Sequence, residues 1–345
     1  MLDRRSFVQF AALLPTARLL SVAPGGDATA AIQAAIDALG AGGGVVQLEP
    51  GVYDLTARGV DPADPHTGYA LRIRREHGPV ALVGAGDATV LRLAPNQPAH
   101  TAAILIHGDG LSSRRTAHTR IAHLRITSGA QPAWQDFGLI TALCADGLTC
   151  DDLTIDGAPL FGIHVLRGTT DTTIRQCRMT ASMAGAAVAL ETRGARIVES
   201  SFVAVSGAGA VSLAYNADVG IADEDILIRG NRFTGGIRQL TVSGARRVIV
   251  ESNLFRDVTN PNGQALVVEP FASSLGTFTP SMIPILGNQF SSVRMGIILN
   301  AASQCLVANN QIVAGSVIAC AHGIWEYGGA AQNLIVNNQL IGCVA

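Results

Sequence analysis

The chain has 345 residues and a formal net charge of -2, and all 24 of its basic residues are Arg. That balance argues against nucleic acid or an anionic membrane surface as the main partner, and the absence of Lys excludes Schiff-base and Lys general-base chemistry. Hydrophobic residues make up 48% and aromatics only 5%, so any large core must be filled by Ile, Val, Leu and Ala, with 38 Gly available for turns.

At the N-terminus, Asp3-Arg4-Arg5-Ser6-Phe7-Val8-Gln9 and the apolar Phe10 to Leu14 resemble a twin-arginine export signal, with Ser21-Val22-Ala23 as its cleavage site. The resemblance implies a periplasmic or secreted protein. Residues 1–25 are then a signal peptide or arm, and 26–345 one domain. No other apolar segment reaches the ~20 residues of a membrane span.

Asp27 to Leu39 reads as an amphipathic helix with Ile32, Ile36 and Leu39 on one face. Gly42-Gly43-Gly44-Val45-Val46-Gln47-Leu48-Glu49-Pro50-Gly51-Val52-Tyr53 follows as a glycine run and strand, then Val80 to Gly86 and Val90-Leu91. This succession resembles the N-terminal cap and early coil of the pectate-lyase-like β-helix superfamily. A capping helix would cover the edge and open core of the first coil.

From Cys150 onward one pattern returns seven times. The copies are Ile174-x-x-Cys177-x-Met179, Ile197-x-x-Ser200-x-Phe202, Ile228-x-x-Asn231-x-Phe233, Val250-x-x-Asn253-x-Phe255, Ile285-x-x-Asn288-x-Phe290, Val307-x-x-Asn310-x-Ile312 and Ile335-x-x-Asn338-x-Leu340. A fainter copy, Leu148-x-x-Asp151-x-Leu153, precedes them. Apolar residues alternate at period two around each copy, which marks strands, and units of ~20–35 residues mark a stacked array. The expected fold is all-β: a single-stranded right-handed parallel β-helix, pectate-lyase-like, with an N-terminal capping α-helix. Asp151, Cys177, Ser200 and the five Asn should stack along one edge, where Asn tolerates left-handed backbone and stacked amides bond along the ladder. Six Cys form no metal-type Cys-x-x-Cys pair, and Cys320 with Cys343 is the pair expected to bridge under oxidising conditions.

Second strands lie between the copies, and alternation assigns their outward residues. The expected pairs are Leu105/His107, Ile140/Ala142, His164/Leu166, Ala189/Glu191, Ser212/Ala214, Thr241/Ser243, Val267/Glu269, Ile298/Asn300 and Trp325/Tyr327. Neighbouring coils are ~4.8 Å apart, so His164 and Glu191 should lie close, with Arg167 and Arg193 at the turns that follow. A His, a carboxylate and two Arg suit an acidic sugar: Arg grips its carboxylate while His or Arg moves a proton. His164, Arg193, Arg167 and Glu191 are therefore the catalytic candidates, and Glu269, Trp134, Tyr215, Asn300 and Tyr327 the substrate-binding ones. Asp218, Asp223 and Asp225, with Glu224, form an acidic loop whose oxygens could ligate calcium, without EF-hand spacing.

The superfamily resemblance implies work on carbohydrate by lyases, hydrolases or epimerases, or by non-catalytic surface fibres. Of the polygalacturonase-like motifs the chain offers only Asp151-Asp152 and the unmatched Gly162-Ile163-His164, and Asp64-Pro65-His66 echoes a tripeptide of alginate epimerases. The expected function is lyase action on a uronate-containing polysaccharide or oligosaccharide. The alternatives are a non-catalytic saccharide-binding or structural module, and a glycoside hydrolase. After Leu340 too few residues remain for a capping helix, so a folded-back loop or a homo-oligomer through that coil is expected.

Overall fold

A computed structural model describes residues 18–61, 64–108, 116, 118–131, 138–181, 185–205, 209–214, 223–258, 260–273, 276–315 and 319–343. The chain winds as a parallel β-helix in which each coil lays one strand on each of three sheets. The repeat pattern explains why. Its first residue falls on the second sheet, in the register Cys150, Ile174, Ile197, Ile228, Val250, Ile285, Val307, Ile335. Its last residue falls on the third, in the register Met179, Phe202, Phe233, Phe255, Phe290, Ile312, Leu340. Both rows point inward, so stacking the coils joins them into one continuous core. Phe202, Phe233, Phe255 and Phe290 stack face to face at centroid separations of 5.2, 4.7 and 4.7 Å.

The middle residue of the pattern turns the corner between these sheets. Asn231, Asn253, Asn288 and Asn310 are buried there. Each Oδ1 accepts the backbone N–H of the ladder residue one coil earlier at 2.9 Å. Each Nδ2 donates to a carbonyl of an earlier coil at 2.8–2.9 Å. The left-handed backbone at this corner belongs to the preceding residue instead, as at Gln176, Glu199, Ser252, Asn309 and Asn337. Asn is placed here for its amide, which closes hydrogen bonds inside a dry corner.

Register corrects the fainter copy. Thr154 pairs with Arg178 and Ile155 with Met179, which puts Leu153, not Asp151, beside Cys177. Asp151 stands two residues earlier and is held by Arg120 at 2.6 Å and by both nitrogens of Arg175 at 2.9 and 2.8 Å.

The N-terminal end is covered by α1 (Ala28–Leu39), whose Ile32, Ile36 and Leu39 are buried on the first coil. The Asp27 side chain caps it by accepting the Ala30 N–H at 2.9 Å. Arg18–Val22, placed in the signal or arm on sequence grounds, pairs along its whole length with Gly44–Leu48. The Val22 carbonyl accepts the buried Tyr53 hydroxyl at 2.7 Å. At the other end Cys320 and Cys343 form a disulfide, and Leu334, Leu340 and Ile341 are exposed.

Candidate functional site

The first sheet presents its outer face in columns. One runs Arg72, Leu105, Thr141, His164, Ala189, Ser212, Thr241, Val267, Ile298, Trp325. Two residues along each strand runs a second, whose paired members include Arg74 with His107 and Leu143, Ala214 with Ser243 and Glu269, and Asn300 with Tyr327. Leu166 and Glu191 occupy the same strand position. The assignment for Gly138–Leu143 is shifted by one: Ile140 and Ala142 lie in the core, and Thr141 and Leu143 face outward. A small-residue start to the strand had hidden the phase.

The face is not one open groove. On its N-terminal half, Ala102, Leu105, Leu143 and Leu166 form a separate apolar cluster outside the main core. His164 sits at the margin of that cluster, 9% exposed, with its ring 4.4 Å from that of Phe161. Its expected position in an open groove is thus corrected: it faces outward, but apolar neighbours cover it. Next to it the floor becomes small: Ala186, Ala189, Gly209, Ser212, Ala214, Thr241 and Ser243. Solvent reaches this floor at Gly209, Ser212 and Ala214. Beyond it Arg238 and Glu269 form a part-buried ion pair at 2.6 Å, with Ser243 Oγ 3.5 Å from the same carboxylate oxygen. The trough between His164 and Thr241 spans three coil steps, ~14 Å. Glu191 lies half-buried on its floor.

Arg193 leaves this site. Thr192 turns the corner, so Arg193 is carried to the second sheet, where it pairs with Glu224. Glu224 also accepts from Arg246 at 2.8 Å and from Arg247. Burial alone would raise this carboxyl. The Arg246 hydrogen bond and the charges of Arg193, Arg246 and Arg247 outweigh it and hold Glu224 below the usual carboxylate range. Position 167 lies on the strand Phe161–Arg175 at the turn, and its side chain is outside the described residues.

The acidic loop is divided as well. Asp225 is bound by Arg247 through two nitrogens at 2.7 and 3.0 Å, whereas Asp223 is fully buried and accepts the Thr192 N–H. One carboxylate is buried and the other exposed, and among the described residues no cluster of three metal-ligating side chains forms. Asp218, Trp134 and Tyr215 lie outside the described residues.

Asn300 and Tyr327 take the expected outward column. Tyr327 is 39% exposed, and its ring stacks on Trp325 at 4.6 Å, which stacks on His322 at 4.7 Å. Trp325 itself is 38% exposed. Sequence reasoning missed Arg238 and His322. Both open their strands just before the small or amidic residue where period-two alternation breaks, at Gln239 and Gly323. A polar residue recurring there, as at Arg238, Gln264 and His322, was the available signal.

The architecture resembles solved β-helices at low sequence identity. The A-module of mannuronan C-5 epimerase AlgE4 from Azotobacter vinelandii aligns with a TM-score of 0.58 and 16% identity, over 92% of this chain and 92% of that one. A mutant tailspike protein of E. coli bacteriophage HK620, in complex with pentasaccharide, aligns with a TM-score of 0.71 and 16% identity. That match covers 96% of this chain and 63% of the tailspike, so the chain spans less than two thirds of it. ORF18 of Geobacillus virus E2 gives 0.57 at 13% identity, over 98% of this chain and 63% of that one. In sequence the chain matches no curated protein. A family model described as right handed beta helix region matches residues 149–343, more than half of the chain and the whole run of repeats, and the chain belongs to that family.

Proposed function

We propose that the chain acts on a polysaccharide laid along the trough of the first sheet, with Glu191 as the reacting carboxylate. The observation that carries this reading is a run of small side chains ~14 Å long on the outer face of a rigid sheet, between His164 and the Arg238–Glu269 pair, open to solvent at Gly209, Ser212 and Ala214 and with half-buried Glu191 beside it. The length suits two or three sugar rings. The epimerase module and the tailspike solved with pentasaccharide share this architecture, which makes a glycan the natural ligand class to try.

Elimination from a uronate-containing glycan is the reaction favoured. Hydrolysis normally needs two carboxyl groups no more than ~9.5 Å apart across the scissile bond. Glu191 and Glu269 are three coils apart, ~14 Å. Elimination needs one base for the proton α to the uronate carboxylate, with that charge neutralised and the leaving oxygen reprotonated. Glu191 and His164, on adjacent coils, supply a base and a proton carrier, whereas Arg238, bound to Glu269 three coils from Glu191, is placed for the carboxylate of a neighbouring sugar rather than the reacting one.

The test is a panel of uronate and neutral polysaccharides assayed both for absorbance near 235 nm and for new reducing ends. Unsaturated product lost by ~10²-fold in Glu191→Gln supports the reading. Reducing ends without absorbance would replace elimination by hydrolysis. Binding without product from any glycan would make this a saccharide-binding module.

Export by the twin-arginine route belongs to the same proposal, with a consequence for processing. Cleavage after Ala23 would strip Arg18–Val22 from the first coil, so N-terminal sequencing of exported protein should find that strand retained. Association through the exposed apolar residues of the last coil is also proposed, and sedimentation velocity would detect it.

A further inference from the structure

At the corner between the first and second sheets, one coil differs from its neighbour. The coil that runs from Arg238–Ser243 to Arg246–Glu251 turns there in two residues, Gly244 and Ala245. In the next coil the chain leaves the first sheet at Glu269 and enters an antiparallel hairpin, Phe271–Ser273 with Gly276–Phe278, which pairs with no other strand among the described residues. It rejoins the stack only at Ser281, bridged to Arg246 of the coil before and to Ser303 of the coil after. Between hairpin and corner lies a pocket of about 270 Å³, lined by Gly244, Arg246, Thr277, Phe278, Thr279 and Ser281. None of these residues takes part in the reaction proposed above.

The polar groups of this pocket are not spent on the fold. Arg246 gives its Nε to Glu224 at 2.8 Å, and among the described residues its two terminal nitrogens have no hydrogen-bond partner. Among the same residues the hydroxyls of Thr277, Thr279 and Ser281 have none either. Thr277 and Thr279 are exposed and Ser281 is half-buried, so solvent reaches them. Arg193, Arg246 and Arg247 meet the carboxylates of Glu224 and Asp225 here, and three cations with two anions sum to one positive charge. A guanidinium with two free nitrogens matches a carboxylate, and hydroxyls lining the same pocket match those of a sugar ring. The volume lies just below the ~300 Å³ at which pockets begin to take drug-sized ligands, which suits a single ring.

We propose that this pocket is a second glycan subsite that takes one acidic sugar residue, with Arg246 holding its carboxylate and Thr277, Thr279 and Ser281 its hydroxyls. Gly244 directly follows Ser243, the last outward residue of its strand in the run of small side chains, so the pocket opens beside that run rather than along it. The substrate class this implies is a glycan with a second uronate that leaves the line of the run, on a branch or at a bend. That implication rests on the reading of the first sheet as a glycan site. The subsite itself rests on the pocket and its unspent donors.

The experiment is a titration of the full chain, labelled with carbon-13 at its threonine methyls, with glucuronate, glucose and inorganic sulfate. The methyls of Thr277 and Thr279 report the pocket and that of Thr241 reports the run, so the two sites are read separately. Glucuronate should shift the Thr277 and Thr279 signals at least ~10-fold more tightly than glucose or sulfate, since it alone offers both a carboxylate and a ring. Arg246→Gln should weaken that binding by at least ~10-fold, and Ser281→Ala by about fivefold. If Arg246→Gln fails to fold, Ser281→Ala and Thr279→Val, read at Thr277, carry the test. Equal response to sulfate would reduce the pocket to a bare anion site, and shifts at Thr241 alone, or none, would overturn it outright. No turnover enters this measurement. Binding at the pocket in a protein that releases no product from any glycan would therefore refute the proposed function alone, and product formation with a silent pocket would refute the subsite alone.

Discussion

The two polar corners of the helix solve one problem differently. Both must satisfy backbone N–H groups where the chain turns away from a sheet and the interior admits no water. The Asn corner does so with a self-complementary amide: each Asn accepts a backbone N–H of the preceding coil and donates to a carbonyl of that same coil, so Asn231 to Asn310 form an unbroken run. The other corner is mixed, with Thr169 and Thr192 bonding through hydroxyls, Asp223 through a carboxyl, and Ala245 not at all. A uniform ladder is an answer to stability. The irregular one follows directly on the strand that carries Glu191.

The largest expected effect tests the amide ladder. Asn253→Leu strands the Asn231 donors and the Ile228 carbonyl, and should lower unfolding free energy by about 3 kcal/mol in urea titrations. A loss below 1 kcal/mol would show that the ladder decorates a core held by other forces.

Glu224 and Asp223, neighbours in sequence, should titrate in opposite senses. The pKa of Glu224 is depressed, so its stabilisation is present above its unfolded pKa and lost as pH falls through the folded one. Glu224→Gln should cost about 1–2 kcal/mol at neutral pH and flatten the acid limb of Tm against pH. Asp223→Asn should act on the alkaline limb alone, because burial raises that carboxyl. If both variants moved the same limb, the division between an outward ion cluster and an inward neutral acid would be wrong.

Thr192→Val removes one hydroxyl bond to the Thr169 carbonyl and should cost about 1 kcal/mol, a third of the Asn253 effect. Equal losses at the two corners would erase their contrast. The smallest change is expected outside both, at the solvated Asp87–Arg178 pair, where Asp87→Ala should shift stability by less than about 0.5 kcal/mol.

Much of the fold was legible because a stacked coil repeats its demands. Ile197 and Phe202, five residues apart, meet the same two sheets as Val250 and Phe255, and the repetition made the period visible. The copy at Asp151 failed because Leu153 replaces the amidic residue, and the nearest polar side chain took its place in the count. The outward columns were read correctly wherever strict alternation holds, from His164 to Tyr327. They slipped at Thr141, where register with Leu105 and His164 decides the phase.

The candidate site was less legible, for a reason that lies in the corners. His164 and Glu191 lie on adjacent strands and could be placed by counting. Arg193 is only two residues past Glu191, yet the turn at Thr192 sends it to another sheet and into the grip of Glu224. Asp223 could be seen as an acid, while its burial and its bond to Thr192 come from a coil above.

Sequence alone determined the parallel β-helix, the helical cap and the inward rows of Ile, Val and Phe, because these follow from local periodicity and from the burial of apolar faces on identical neighbours. Only tertiary structure decided which polar residues meet, since a coil brings together side chains 20 to 40 positions apart and each corner sends consecutive residues onto different walls. Charge pairing, burial of acids and the limits of the trough all depend on that juxtaposition.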